Sequence, residues 1–409
     1  MIRMLLIIAT IIVSIGPLFA DEIPMGRLNN FAGQMVEKSR HAVGYPVNQN
    51  IDLKEFYRWY YESGLHNVAM NNVGNPRKPS LYSMNTHEYE NEVIDFFAPR
   101  YGFDPSETWG IVTYSGTDGN NHGIYFGVKY LLAKTKKRPI IYVSEEAHYS
   151  IKKLADLQNL ELKLIPTDKM GHMLIPAFEK ALDPKKPALI VIAAGTTFKG
   201  AIDDQAAIDA VVKKKKPLAV YRHLDAALFG GFLPFTAQKN ILDRKKIYFD
   251  SIAVSGHKFF GFDEPLGIFI TTRDVLDNQN PFRVPYLNDA VPTITCSRSA
   301  LGALKFWWKV KRTGQYGFRE QADTILANAV YLKTKFDGMK YPAWMNPYSN
   351  TVFFKRPSQR LMEKWDLAPD EDERLGGKLA HQIVMQHETK ETIDLFIADL
   401  KQDEAMNRK

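Results

Sequence analysis

The chain has 409 residues, 45% of them hydrophobic, enough for one large core or two packed domains. Lys and Arg number 53 against 46 Asp and Glu, and the resulting net charge of +7 is spread along the chain, its densest run being Lys213–Lys216; a nucleic-acid partner is not expected. The single cysteine, Cys296, excludes an intrachain disulfide framework and any cysteine-based metal cluster.

Met1-Ile-Arg3 is a short basic start, followed by an almost unbroken apolar run from Met4 to Ile15, a Gly16-Pro17 break and Ala20 before Asp21-Glu22. This is the pattern of a secretory signal peptide, with an apolar core too short for a comfortable membrane span. Residues 1–20 are therefore set apart from the fold and imply export to a periplasm or the medium; a membrane anchor left uncleaved is the alternative.

Residues 21–100 read as a polar N-terminal segment, helical in parts, punctuated by Gly44-Tyr45-Pro46 and by Asn71 to Pro76. Thr86 opens a capped helix that runs to Phe97. From Trp109 the texture becomes strands alternating with helices. Gly110–Tyr114 predicts a strand, Ser115–Asn120 a turn, and Ile124, Val128, Leu131 and Leu132 mark one face of a helix. Strands follow at Pro139–Val143, Ala188–Ala194, Leu218–Leu224 and Ile252–Val254, with a helix opening at His148. This β-α-β-α rhythm predicts an α/β fold with a mostly parallel sheet and flanking helices over residues 101–312. Past Arg312-Thr313-Gly314 a long helix to Phe336, strands at Thr351–Lys355 and His381–Met385, and helices at Gln359–Leu367 and Glu391–Leu400 predict a small α+β domain over 313–409. The tail after Lys401 is expected to fray.

The polar signatures fall at the carboxyl ends of strands, where parallel sheets bind ligands. Ser115-Gly116-Thr117 sits at a strand-to-helix turn that suits a phosphate, or simply a capped helix; neither a Walker loop nor a dinucleotide fingerprint is present. Asp225 ends an apolar strand, a costly place for a carboxylate without a partner. Lys258 stands just past the Ser251–Val254 run, after Gly256-His257. The spacing of His148, His223 and His257 defines no metal site. A phosphate cradle, a buried Asp and a strand-end Lys together meet the needs of pyridoxal phosphate. Its aldehyde takes a lysine amine, and its ring nitrogen takes a carboxylate.

Several stretches carry a closer likeness: Gly44-Tyr-Pro46, Trp109 to Thr113, Gly116 to Gly123, His148-Tyr-Ser150, Gly195-Thr-Thr197, Lys199 to Asp204, His223 to Leu228 and Ser255 to Gly261. In this text, and in its order from about Gly44 to Leu400, the chain resembles the group II pyridoxal-phosphate-dependent decarboxylases. It is most similar to their histidine decarboxylase branch, which includes the plant serine decarboxylases. The resemblance implies a type I pyridoxal-phosphate fold, a homodimer and an amino acid substrate: histidine, or alternatively serine or another small polar amino acid. It implies Lys258 as the Schiff-base lysine, Asp225 as the partner of the ring nitrogen, and His148 stacked on the ring. Ser115, Gly116, Thr117, Ser255 and His257 would surround the phosphate, with Thr197 and Ala227 near the pyridine. An aminotransferase on the same fold, or an exported binding protein without turnover, are the competing readings. The chain departs from the branch at Ser297-Arg-Ser-Ala300, at Phe262–Gly267 and in the prolines of the 281–296 segment, which is expected to cover the substrate. These departures bear on substrate choice.

Overall fold

The computed structural model describes residues 23–279, 281–287 and 289–407; the expected signal segment at 1–20 lies outside them. Residues up to Arg40 form a unit of their own, built on the helix Met25–Ser39, none of whose residues is buried. Everything from His41 onward forms the second unit.

Seven strands make the central sheet of that unit: β1 Thr108–Thr113, β2 Ile140–Ser144, β3 Glu161–Ile165, β4 Ala188–Ala193, β5 Val220–Asp225, β6 Ser251–Ser255 and β7 Gly267–Thr272. Their spatial order is β1-β7-β6-β5-β4-β2-β3. Pairings are parallel from β3 through β6, and β7 runs antiparallel between β6 and β1. The largely parallel sheet expected from the sequence is present. The sequence reading did not anticipate β7, or the edge strand β3, whose mostly exposed residues lack an apolar run.

Side chains alternate across the sheet, as a period of two requires. Ala188, Ile190 and Ile192 join Leu224, Ile252 and Val254 in the core on one face. Leu189, Val191, Tyr221 and Phe269 pack on the other, against Ile124, Val128 and Leu131 of the helix Gly116–Thr135 and Ile151 and Leu154 of the helix Tyr149–Leu157. Burying each such aliphatic side chain stabilises the fold by roughly 1.5–3 kcal/mol. With both faces covered, ligand access is left to the strand ends.

Beyond β7, Ala300–Gly338 is two helices broken at Gly314, whose φ of 60° takes the left-handed region. Four strands follow in an antiparallel sheet: Ala343–Met345, Thr351–Lys355, Ala368–Asp372 and Gly377–Ile383. Its core joins Leu332, Phe336, Phe354, Phe396 and Leu400. The tail does not fray at Lys401: the final helix runs from Lys390 to Asn407, because the buried Asp403 carboxylate accepts from the Ser358 N–H at 3.0 Å. Thr86 does precede the helix His87–Phe97, yet its hydroxyl donates to the Ala300 carbonyl at 2.9 Å and makes no cap bond. Among the described residues no helix is long and apolar enough to cross a membrane.

Candidate active site

Five parallel strands deliver side chains to one edge of the sheet. β1 runs on into Ser115, β2 into His148, β4 into Thr197, while β5 ends at Asp225 and β6 runs on into Lys258. A hollow of about 360 Å3 opens there, lined by Ser115, Gly116, Thr117, His148, Asp225, Ala227, Ser255, His257 and Lys258. A smaller hollow of about 30 Å3 adjoins it, sharing His148, Asp225, Ala227 and Lys258 and adding Thr197. All ten residues singled out from the sequence are thereby brought together.

The wall near Ser115 is an anion site in form. Ser115 caps the helix Gly116–Thr135, its hydroxyl accepting from the Asp118 N–H at 3.2 Å, and its carbonyl accepts from the Gly119 N–H. Among the described residues the N–H groups of Gly116 and Thr117 have no acceptor, as expected for a helix's first turn. A Cβ at Gly116 would come 2.3 Å from the Ser255 hydroxyl, so only glycine lets the helix end reach β6. The hydroxyl of Thr117, the Ser255 Oγ and the His257 ring face the same space. Ser115 is thus both cap and lining, and the two readings of its turn coincide.

Opposite lie the Asp225 carboxylate and the Lys258 amine. Asp225 is buried, with Oδ1 accepting from the Ala227 N–H at 3.3 Å and Oδ2 from the Asn120 Nδ2 at 3.0 Å. Burial pushes the Lys258 amine below its ordinary value, and the Asp225 carboxylate pulls it back up. Burial, then the Lys258 charge, lower the His148 imidazole, while Asp225 opposes them. His148 precedes the helix Tyr149–Leu157, and its Nδ1 accepts from the Ser150 N–H, which puts the neutral ring's proton on Nε2. Burial, then Lys258, lower His257 as well.

Thr197 rides on a tight loop closed by Gly195 and Thr196 N–H bonds to the Ala201 carbonyl, with Gly195 at φ 103°. The small sheet reaches this side too, through Thr351 and Ile383, as does Pro46 of the Gly44-Tyr45-Pro46 turn. His381 sits between that turn and loop, its Nδ1 2.8 Å from the Phe198 carbonyl and its Nε2 2.9 Å from the Gly44 carbonyl.

An amine and a carboxylate on adjoining strands, an anion-binding helix end and a ring-sized hollow between them fit pyridoxal phosphate. A model of the pyridoxal-dependent decarboxylase conserved domain matches residues 127–340. The chain belongs to the pyridoxal-dependent decarboxylases. Such an enzyme is a carboxy-lyase that uses pyridoxal phosphate to decarboxylate an amino acid. This decarboxylase is 32% identical to serine decarboxylase 1 of Oryza sativa subsp. japonica, the match covering 91% of this chain and 74% of that one. It is also 32% identical to the histidine decarboxylase of Solanum lycopersicum, over 92% and 88% of the two chains. The fold is that of the L-methionine decarboxylase of Streptomyces sp. 590, with a TM-score of 0.78 at 21% identity, covering 93% of this decarboxylase and 94% of that chain.

Sequence reasoning missed Asn120, Tyr114, Tyr149 and Pro265 in the lining, and set His223 aside after weighing it only as a metal ligand. Two signals pointed to Asn120, which touches Asp225, and to His223, which touches Asn120. Asn120 follows Gly116 by one helical turn, on the face that Gly119 and Gly123 leave open toward the sheet. His223 precedes Asp225 by two residues on one strand, hence on the same face.

Proposed function

We propose that this decarboxylase converts L-histidine to histamine and carbon dioxide. The observation that carries the site reading is the convergence of Lys258, Asp225 and His148 on one hollow whose far wall is a helix N-terminus. The choice of histidine rests on the similarity to the tomato histidine decarboxylase; the equal identity to a rice serine decarboxylase makes serine the alternative.

When bound, pyridoxal phosphate draws the electrons of the breaking Cα–carboxylate bond into its ring. In this reading Lys258 supplies the amine that holds the aldehyde, and burial raises the share of its neutral, nucleophilic form. Asp225 holds a proton at the ring nitrogen, where negative charge would otherwise build up. The N–H groups of Gly116 and Thr117, with the Thr117 and Ser255 hydroxyls and His257, hold the phosphate. Ser115 keeps that helix end capped. His148 lies against the ring, and Thr197 and Ala227 border the pyridine. Holding the carboxylate perpendicular to the ring favours its loss over loss of the Cα proton.

The assembly is read as a homodimer. The helix Met25–Ser39 exposes Leu28, Phe31 and Val36, an apolar face that a second copy would cover. Sedimentation should give a dimer, and removal of residues 23–39 should weaken it. Residues 1–20 are read as an export signal, or as an anchor left in place. Cell fractionation with N-terminal sequencing separates the two.

The activity test uses protein lacking residues 1–20. Added pyridoxal phosphate should give a visible absorbance band that borohydride bleaches and that Lys258→Ala lacks. Release of carbon dioxide should then be greatest with histidine among the common amino acids. Preference for serine would move the assignment to the serine decarboxylases. Amino transfer to a ketoacid without carbon dioxide, or a loaded protein with no turnover, would overturn it.

A further inference from the structure

Behind Asp225 lies a line of buried polar groups that has no place in the scheme above. The Asn120 amide donates through Nδ2 to Asp225 Oδ2 at 3.0 Å, and its Oδ1 meets His223 Nε2 at 3.0 Å. His223 Nδ1 lies 2.8 Å from the Ser251 hydroxyl, which accepts in turn from the Tyr221 hydroxyl at 2.8 Å. Tyr221, His223 and Ser251 have no exposed surface and Asn120 has 2%. The four residues come from β5, β6 and the helix Gly116–Thr135, and no water is needed to complete the line.

The direction of every proton in it follows from its two ends. An ionised Asp225 only accepts, so Asn120 must turn its NH2 toward it and its oxygen toward His223. His223 Nε2 must then donate. Burial pushes the His223 imidazole down to about 3, so the ring is neutral and its Nδ1 must accept, from the Ser251 O–H. Burial pushes the Tyr221 phenol up, which leaves that hydroxyl protonated and free to donate to Ser251. Each group donates toward Asp225, and chains of this kind strengthen their members in a low dielectric. The reverse orientation would set the amide oxygen against the carboxylate.

We propose that Asn120 and His223 are positioning residues, oriented by Ser251 and Tyr221, that keep Asp225 ionised and aimed at the ring nitrogen of bound pyridoxal phosphate. The inference rests on the assignment of Asp225 to that nitrogen. His223, Ser251 and Tyr221 lie behind the carboxylate and line no part of the hollow, whereas Asn120 joins them to its wall. Through the Asn120 amide they lend Asp225 a hydrogen bond that favours its charged form, and the charged form holds the ring proton.

The test is nitrogen-15 NMR of protein loaded with ring-labelled pyridoxal phosphate, because the ring nitrogen's shift reports whether it carries a proton. The wild type should show a protonated nitrogen. His223→Phe keeps the ring volume but removes the donor to Asn120. It should move the signal toward the unprotonated position, weaken cofactor retention by about 10–100-fold and lower kcat more than it raises KM. Ser251→Ala, a smaller change that guards against misfolding of the first variant, should move the signal the same way by a lesser amount. His223→Gln, which sets an amide N–H where Nε2–H stands, should restore it in part. A signal unchanged in both His223→Phe and Ser251→Ala, with only the melting temperature lowered, would reduce the line to packing and overturn the proposal alone. A wild type that forms no borohydride-sensitive band would instead overturn the cofactor assignment, and this inference with it.

Discussion

Gly123 is where a single missing atom decides the site's geometry. A Cβ there would stand 2.2 Å from the His223 ring, so the helix Gly116–Thr135 can lie against β5 only with glycine at this point. Gly123→Ala must push either the helix or His223 away. Overpacking of this kind costs about 1–3 kcal/mol, and the displaced ring would also let go of Asn120. The expected outcome is a lowered melting temperature together with faster loss of pyridoxal phosphate on dialysis. A variant as stable and as cofactor-retentive as wild type would show that the two elements do not press on each other as described. Lys258 makes the companion case for electrostatics. Burial lowers its amine and the Asp225 carboxylate raises it, so neutralising that carboxylate as Asp225→Asn should lower the amine further. The variant should still take up the cofactor but lose most turnover, which titration of the visible band and carbon dioxide release would check.

Between elements, one clasp is a buried ion pair. Arg298 and Glu90 are almost wholly inaccessible and meet through two bonds, at 2.9 Å and 3.2 Å. Glu90 also accepts from the Val112 N–H of β1 and from Asn72, while Arg298 donates to the Gly74 carbonyl. The pair thus joins the helix His87–Phe97 to the sheet edge and to the short strand pair Asn72–Val73 with Ser297–Arg298. Removing one charge strands the other, at roughly 3–5 kcal/mol. Glu90→Gln should lower the urea midpoint accordingly while leaving the denaturant slope unchanged. A shift of only a few tenths of a kcal/mol would mean that water reaches the guanidinium. Arg298 stood out in the sequence as part of a departing motif. Its partner, more than two hundred residues earlier, did not, because no local pattern links a glutamate in a helix's first turn to a distant arginine.

For the whole molecule, two buried groups set opposite slopes of stability against pH. His223 stays neutral in the fold down to about 3, whereas an unfolded histidine takes up a proton near 6.5. Its contribution is intact above 6.5 and is lost progressively as pH falls from there toward 3. Burial pushes the Glu388 carboxyl up to about 8, against an ordinary value of 4.5, although Gln382 and the Met385 N–H favour its ionised form. It therefore stabilises the fold fully below 4.5, and that contribution is lost as pH rises through 8. Glu388→Gln keeps the neutral shape and removes the titration. The variant's unfolding free energy relative to wild type should climb steadily between pH 5 and 8.5, by an amount on the order of several kcal/mol, and its melting temperature should rise with it. Parallel melting curves across that range would show that Glu388 is already ionised in the fold.

The alternation of strand and helix, the strand-end placement of Lys258, Asp225 and Thr197, and the turn at Ser115 were all legible in the residue order, because they depend on neighbours close in the chain. Periodicity also held the clue to Tyr221, His223 and Asp225 sharing one face. Which residues close the site from elsewhere was decided only by tertiary structure. The Asn120 amide reaching Asp225, the Thr351 and Ile383 wall and the Arg298–Glu90 clasp all join segments far apart in sequence. So does the antiparallel insertion of β7 between β1 and β6. A local pattern can say which way a side chain faces along its own strand; what it meets there depends on how the distant elements pack.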